Sequence, residues 1–257
     1  MGVNGLTKFV QREDFTTTEN YSNCSILVDA SGMMYSILNN GISEETHTLD
    51  CGGNYKEFES KVIKCFQKLE QCQITPIVVL DGATPLVKHD SKLERLERSL
   101  ENYRSMKFCT TFWHYLAIDV FVATLKRLKI TVIQVPYEAD DVLAFLSYRF
   151  DLPVLTNDSD FYFFRHPVLS IVDLIETEVV TEDGDPHLVL RTFNPKNLQE
   201  RYNIENELYF RIAPILIGND VMPSLQDHFP SWRGFGRNHQ AAKDRNYNIK
   251  SILRWVA

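Results

Sequence analysis

The chain has no surplus of positive charge: 27 Lys and Arg stand against 34 Asp and Glu, a formal net charge of −7. That excludes a protein that holds nucleic acid by bulk charge, while an acid-lined site could make the chain acidic and still leave a local basic patch. Cysteine is sparse as well. Cys24, Cys51, Cys65, Cys72 and Cys109 are odd in number and contain no C-x-x-C pair, which argues against a disulfide framework or a zinc site. No uninterrupted apolar run is long enough to span a bilayer, and MGVNGLTKFVQRED has no signal-peptide core, so a soluble, intracellular protein without a membrane association is expected. Leu6 stands where a myristoylation signal needs Ser or Thr. Also missing are the phosphate loop G-x-x-x-x-G-K-[ST], the zinc motif H-E-x-x-H and the nucleophile elbow G-x-S-x-G. An aspartyl phosphatase would want Asp at 31, where this chain has Ser31.

What is present is a chain of 257 residues, 44% hydrophobic, long enough for one large domain or a domain with a small appendage. Short β-branched runs at 25–29, 75–81, 130–135, 153–156 and 168–173 have the length of buried strands. Between them lie segments of helical period. Phe58, Val62, Phe66 and Leu69 mark one, with Asn54 as its cap and Glu57 three residues on. In SKLERLERSLENYRS, Ser91 and Glu94 form a capping-box pattern, and Leu93, Leu96, Leu100 and Tyr103 draw one apolar stripe. Asp183-Gly184 between two β-like runs suggests a hairpin, and 194–220 suggests helices leading to Asp220. Residues 223–248 show no clear period. The alternation predicts an α/β domain with a central, mainly parallel sheet flanked by helices.

In such sheets ligands bind beyond the carboxyl ends of the strands. There this sequence places Asp29, Asp81, then Glu138, Asp140 and Asp141, then Asp158 and Asp160. Singly, each has an ordinary structural role: Asp81-Gly82 as a turn, Asp29 and Asp158 as helix caps, Asp140 and Asp141 as first-turn acids. Together they would repel unless cations neutralise them, and an all-oxygen set suits Mg²⁺ or Mn²⁺ and two-metal phosphoryl chemistry. In an extended segment Asp158 and Asp160 point to one side. On a regular helix Glu138 and Asp140 would diverge by about 200°, so either Glu138 precedes the first turn or Asp141 is the helix-face partner.

MGVNGLTKFV, ILVDASGMMY, VVLDG, VPYEADDVLAFL, LTNDSDFYFF and LIGND, in that order, resemble the successive blocks of the flap-endonuclease and XPG-like nuclease superfamily, from Met1 to about Asp220. The shortened middle and diverged C-terminal part are most similar to its Asteroid branch. The resemblance implies a PIN-like/FEN-like fold over residues 1–220, with a diverged helical C-terminal segment, 221–257, packed on it. It implies structure-specific phosphodiester hydrolysis with two divalent cations, Mg²⁺ or Mn²⁺. By position, Asp29, Asp81, Glu138, Asp140, Asp158, Asp160 and Asp220 match the family's metal-holding acids. Lys88 and Arg95 match the pair that contacts the scissile phosphate, and Gly2 matches the glycine whose backbone approaches nucleic acid. Taken alone, the stretch around Lys88 and Arg95 reads as an ordinary solvated amphipathic helix.

Two departures from the family shape the expected substrate. The stretch from Asp81 to Tyr137 is shorter than in typical flap endonucleases, where it forms an arch, and only Gly234-Phe235-Gly236 with Asn238 and Ala241 is similar to the duplex-gripping G-x-G-x-x-x-A block. They favour single strands or overhangs, and the expected substrate is single-stranded, overhang or flap DNA; a monomer with repair proteins as further partners is expected besides, and nuclear residence would follow from a DNA substrate alone. A catalytically silent nucleic-acid-binding or scaffold protein and a PIN-type ribonuclease are the alternatives.

Overall fold

The computed structural model describes residues 3, 5–39, 54–104, 116–182, 184–218 and 245–257. Its strands are β1 (Thr16–Tyr21), β2 (Ser25–Asp29), β3 (Thr75–Leu80), β4 (Thr131–Gln134), β5 (Val154–Leu155), β6 (Val168–Leu169), β7 (Val180–Glu182) and β8 (Asp185–Phe193). The helices in the first half are α1 (Leu6–Arg12), α2 (Ala30–Asn39), α3 (Tyr55–Gln71), α4 (His89–Arg104) and α5 (Ala117–Arg127). Those in the second are α6 (Ala139–Phe150), α7 (Ile171–Glu176), α8 (Pro195–Tyr202), α9 (Glu207–Ile217) and α10 (Arg245–Val256). Among the described residues, no helix is long and apolar enough to cross a membrane.

Two compact units divide the chain: residues 18–157 with 169–191, and residues 1–17 with 158–168 and 192–257. In the first, β2 runs parallel to β3 and β5, and β3 runs parallel to β4, within a sheet of order β1-β8-β6-β5-β2-β3-β4 that carries β7 on β8. Side chains alternate across a strand, so Ile26, Val28, Val78 and Leu80 face one side, where Met33, Ile37, Phe66, Leu69 and Phe121 join them in a continuous core. Helix α6 packs against β2 and β3 as well. The expected mostly parallel α/β sheet is therefore present.

The predicted cap of α3 is in place: the Asn54 side chain accepts the Glu57 amide at 3.1 Å. So is the hairpin, with Glu182 paired to Asp185 and Gly184 at φ 90°, a value that favours glycine. Three expectations need correction. The run 168–173 is a strand only at Val168–Leu169, because the Ser170 side chain accepts the Asp173 amide at 3.3 Å and starts α7. Helix α4 begins at His89 rather than at Ser91, since it continues a 3₁₀ turn, Leu86–Lys88, that Pro85 opens. Residues 245–248, expected to be irregular, are helical. No apolar alternation announces β1, whose sequence TTTENY is polar and largely exposed.

The second unit is held by aromatic and ionic contacts. Phe163 meets Phe210 at 5.0 Å, Tyr162 meets Phe193 at 4.4 Å, and Arg201 lies 4.9 Å over the Phe15 ring. Lys250 of α10 pairs with Glu13 at 2.7 Å. The proposed division at residue 220 lies outside the described residues.

Candidate active site

Parallel pairing sends the ends of β2, β3, β4 and β5 to one edge of the sheet, each continuing into a turn or helix start. Asp29 is the last residue of β2, 5% exposed. Its Oδ1 accepts the Gly32 amide at 3.0 Å, and its Oδ2 accepts the Thr156 hydroxyl at 2.8 Å. The register explains the second bond: Val28 pairs with Leu155, which puts Thr156 beside Asp29. The first requires a glycine, because a Cβ on residue 32 would lie 2.4 Å from Asp29 Oδ2.

Asp81 follows β3 and joins two helix starts. Its Oδ1 accepts the Ala139 amide of α6 at 2.7 Å, and its Oδ2 accepts the Ser31 hydroxyl of α2. A carboxylate has about four lone-pair sites, so these two donors leave room for a cation. Gly82 is more than half of a turn dipeptide. Its amide donates to the Tyr137 carbonyl at 2.6 Å, and a Cβ there would meet the Val135 carbonyl oxygen at 2.1 Å. Close backbone approach, not a left-handed φ, demands this glycine.

Glu138 is the residue just before α6, with extended backbone, and Asp140 is half-buried in the first turn. Of the two arrangements the sequence left open, Glu138 ahead of the helix is the one observed, and Asp141 is exposed. Lys88 Nζ reaches across from the 3₁₀ turn to pair with Glu138 Oε2 at 2.5 Å, with both side chains about a quarter to a third exposed, at 25% and 30%. Asp29 and Asp81 thus hold the start of α2, Asp81 also holds the start of α6, and Glu138, paired with Lys88, and Asp140 stand at that second start. Arg95 lies on α4, and its side chain is outside the described residues, as are Gly2 and Asp220.

Asp158 and Asp160 belong to the other unit. They do not share an extended segment. Asp158 caps a 3₁₀ turn, Ser159–Phe163, and accepts the Asp160 amide at 3.1 Å. The turn is anchored by buried Phe161 and Phe163 and by Ser159, whose hydroxyl donates to the Val3 carbonyl at 3.2 Å. The i, i+2 spacing therefore reflects a capped turn and not strand alternation.

Among the described residues, no group of three or more His, Cys, Asp or Glu side chains is arranged to hold an ion. The chemistry of the gathered donors is nevertheless that of a hard divalent cation: carboxylate oxygens only, with no thiolate or imidazole. Of Ser31, Gly32 and Thr156, which orient these acids, the sequence drew notice only to Ser31, and only as the absence of a phosphatase aspartate. Their only signal is adjacency, Ser31 and Gly32 just after Asp29 and Thr156 just before Asn157-Asp158.

Residues 1–102 match the XPG N-terminal domain. The chain is also 30% identical to the single-strand DNA endonuclease ASTE1 of Homo sapiens over 270 residues, covering all of this chain and 39% of that protein. To Protein asteroid of Drosophila melanogaster it is 27% identical over 179 residues, 68% of this chain and 20% of the other. The chain carries an XPG N-terminal domain and resembles ASTE1 and Asteroid proteins along its length. Its fold matches flap endonuclease-1 from Methanococcus jannaschii with a TM-score of 0.55 at 16% identity, over 95% of this chain and 84% of that one. The chain spans about two fifths of the ASTE1 relatives it matches, 37% of the Danio rerio protein and 39% of the human one.

Proposed function

We propose that this chain carries the catalytic centre of a divalent-metal-dependent endonuclease that hydrolyses phosphodiester bonds in single-stranded, overhang or flap DNA. The observation that supports the reading is that Asp29 ends a strand of a parallel sheet, Asp81 follows the next, and Glu138 and Asp140 open the helix that Asp81 bonds, with Lys88 on Glu138. Similarity along the whole chain to proteins named single-strand DNA endonucleases supports the choice of substrate. Asp29, Asp81, Glu138, Asp140, Asp158, Asp160 and Asp220 are the proposed holders of two Mg²⁺ or Mn²⁺ ions. When bound, such ions supply Lewis acidity at the scissile phosphate.

The chain's own residues do the rest. Ser31, Thr156 and the amides of Gly32 and Ala139 hold the two strand-end carboxylates in one orientation, so little reorganisation is left for the reaction itself. Lys88, paired to Glu138, and Arg95 are proposed to receive the phosphate charge that grows during displacement. Gly2 is proposed to let the backbone approach the strand.

The test is a gel assay with labelled single-stranded DNA, 3′- and 5′-overhang duplexes, a 5′ flap and matched RNA. Each is incubated with Mg²⁺, Mn²⁺ or EDTA, using wild type beside Asp158→Ala/Asp160→Ala. Cleavage that needs metal and vanishes in the double variant is expected. Binding without cleavage by folded wild type would make the scaffold reading correct, and cleavage confined to RNA the ribonuclease reading.

A further inference from the structure

We infer that Ser36 and Asn157 form a positioning pair for the carboxylates of the candidate site, a role that rests on the metal-nuclease reading above. Ser36 lies one turn along α2 from Gly32, and its hydroxyl donates to the Gly32 carbonyl at 2.8 Å. Asn157 Nδ2 donates to the same Ser36 Oγ at 2.8 Å, while Asn157 Oδ1 accepts the Ile171 amide that opens α7 at 3.3 Å. The Ser36 hydroxyl is thus donor and acceptor at once, which fixes its rotor.

These bonds close a circuit. Asp29 Oδ1 accepts the Gly32 amide, the Gly32 carbonyl accepts from Ser36, and Ser36 accepts from Asn157. One peptide bond back, Thr156 returns to Asp29 through its hydroxyl on Oδ2. Consecutive side chains at the tip of β5 therefore hold Asp29 directly and brace the helix turn that donates to its other oxygen. The same turn carries Ser31, the donor to Asp81. Both strand-end acids depend on a segment that Ser36 and Asn157 hold still.

A purely structural role explains the pair less well. A serine that bonds back to the carbonyl four residues earlier slightly destabilises a helix, and Ala would favour it. Ser36 is also 6% exposed, where a hydroxyl costs free energy unless both its functions are used. Neither residue touches the reacting atoms; both act through Gly32 and Ser31. Partners behind metal-holding side chains typically change metal affinity or activity by 10–100-fold.

The experiment compares wild type with Ser36→Ala, Asn157→Ala and the double variant, and with Ser36→Thr, which keeps the hydroxyl. Mn²⁺ affinity is measured by titration calorimetry without DNA, kcat and KM on single-stranded DNA, and Tm in the absence of metal. Expected are Mn²⁺ affinity and kcat reduced about 10-fold or more in each alanine variant, KM unchanged, the double variant no worse than the singles, and recovery in Ser36→Thr. Asn157 is solvent-exposed, so Asn157→Ala keeps the test alive should Ser36→Ala fail to fold. Wild-type affinity and kcat in the folded alanine variants, whatever their Tm, would overturn the pairing while leaving the nuclease reading intact. Wild type that binds no Mn²⁺ would overturn both.

Discussion

Residue 32 separates the demands of site and fold. In α2 an Ala at this position would gain helix propensity of about 1 kcal/mol over Gly, yet its Cβ would lie 2.4 Å from Asp29 Oδ2 and 3.3 Å from Ile171 Cδ1. Gly32→Ala is therefore expected to leave Tm within a few degrees of wild type and to lower cleavage by at least tenfold, read from melting curves beside the gel assay. At Cys65 burial makes stability depend on pH. Burial, the dominant cause, lifts its thiol from the ordinary 9.0 to about 11, against the pull of Lys68 and Lys64. A folded pKa above the unfolded one contributes stability that is complete below pH 9 and lost as pH rises towards about 11. The loss amounts to roughly 3 kcal/mol at most, at about 1.4 kcal/mol per unit. Tm should fall between pH 9 and 11 in wild type, and Cys65→Ala should flatten that slope.

Among the elements, α7 shows how a short helix can be held at both ends. The Ser170 side chain caps its start, and Asp173 takes the Arg191 guanidinium at 2.6 Å and the Arg191 amide at 2.7 Å. At its other end Lys68, 3% exposed on α3, donates to the carbonyls of Leu174 at 3.1 Å, Ile175 at 3.0 Å and Thr177 at 2.5 Å. A cation at a helix C-terminus is favourable, and these carbonyls would otherwise lack intrahelical partners. Burial lowers the Lys68 pKa, so holding the charge there has a cost that these bonds offset. Lys68→Met keeps the apolar stem but leaves the carbonyls unsatisfied. It should destabilise by about 1–3 kcal/mol, seen as a lower urea midpoint with an unchanged m-value.

Helix α4 presents a different case. Its apolar positions are not buried as a stripe: Leu93 is 47% and Leu96 59% exposed. Its amphipathic pattern was legible in the sequence, but its burial was not, because period alone does not say whether a partner covers the face.

For the whole molecule, the net charge of −7 sets folding against self-repulsion, which a cation held by the proposed carboxylates would relieve in part. Ligands that bind only the folded state stabilise by mass action, about 2.7 kcal/mol at a hundredfold excess over Kd. Mn²⁺ or Mg²⁺ should accordingly raise Tm by several degrees, EDTA should reverse the rise, and Asp158→Ala/Asp160→Ala should abolish it, with a lower Tm in EDTA from loss of the Asp158 cap on its 3₁₀ turn. A scan of Tm against metal concentration checks all three.

The strand and helix alternation, the Asn54 cap, the 183–184 hairpin and the delivery of acid to strand ends were all legible from the order of residues. Each is a local matter of side-chain period, capping chemistry or turn chemistry over a few neighbours. The family resemblance was legible for the same reason, being a succession of short blocks. What only tertiary structure decided is which donor each acid receives. Thr156 meets Asp29 because of the β2–β5 register, Ser31 meets Asp81 across 50 residues, and Lys88 meets Glu138 across another 50. Such contacts depend on how strands are aligned and where helices enter the sheet edge, distances that no local pattern encodes.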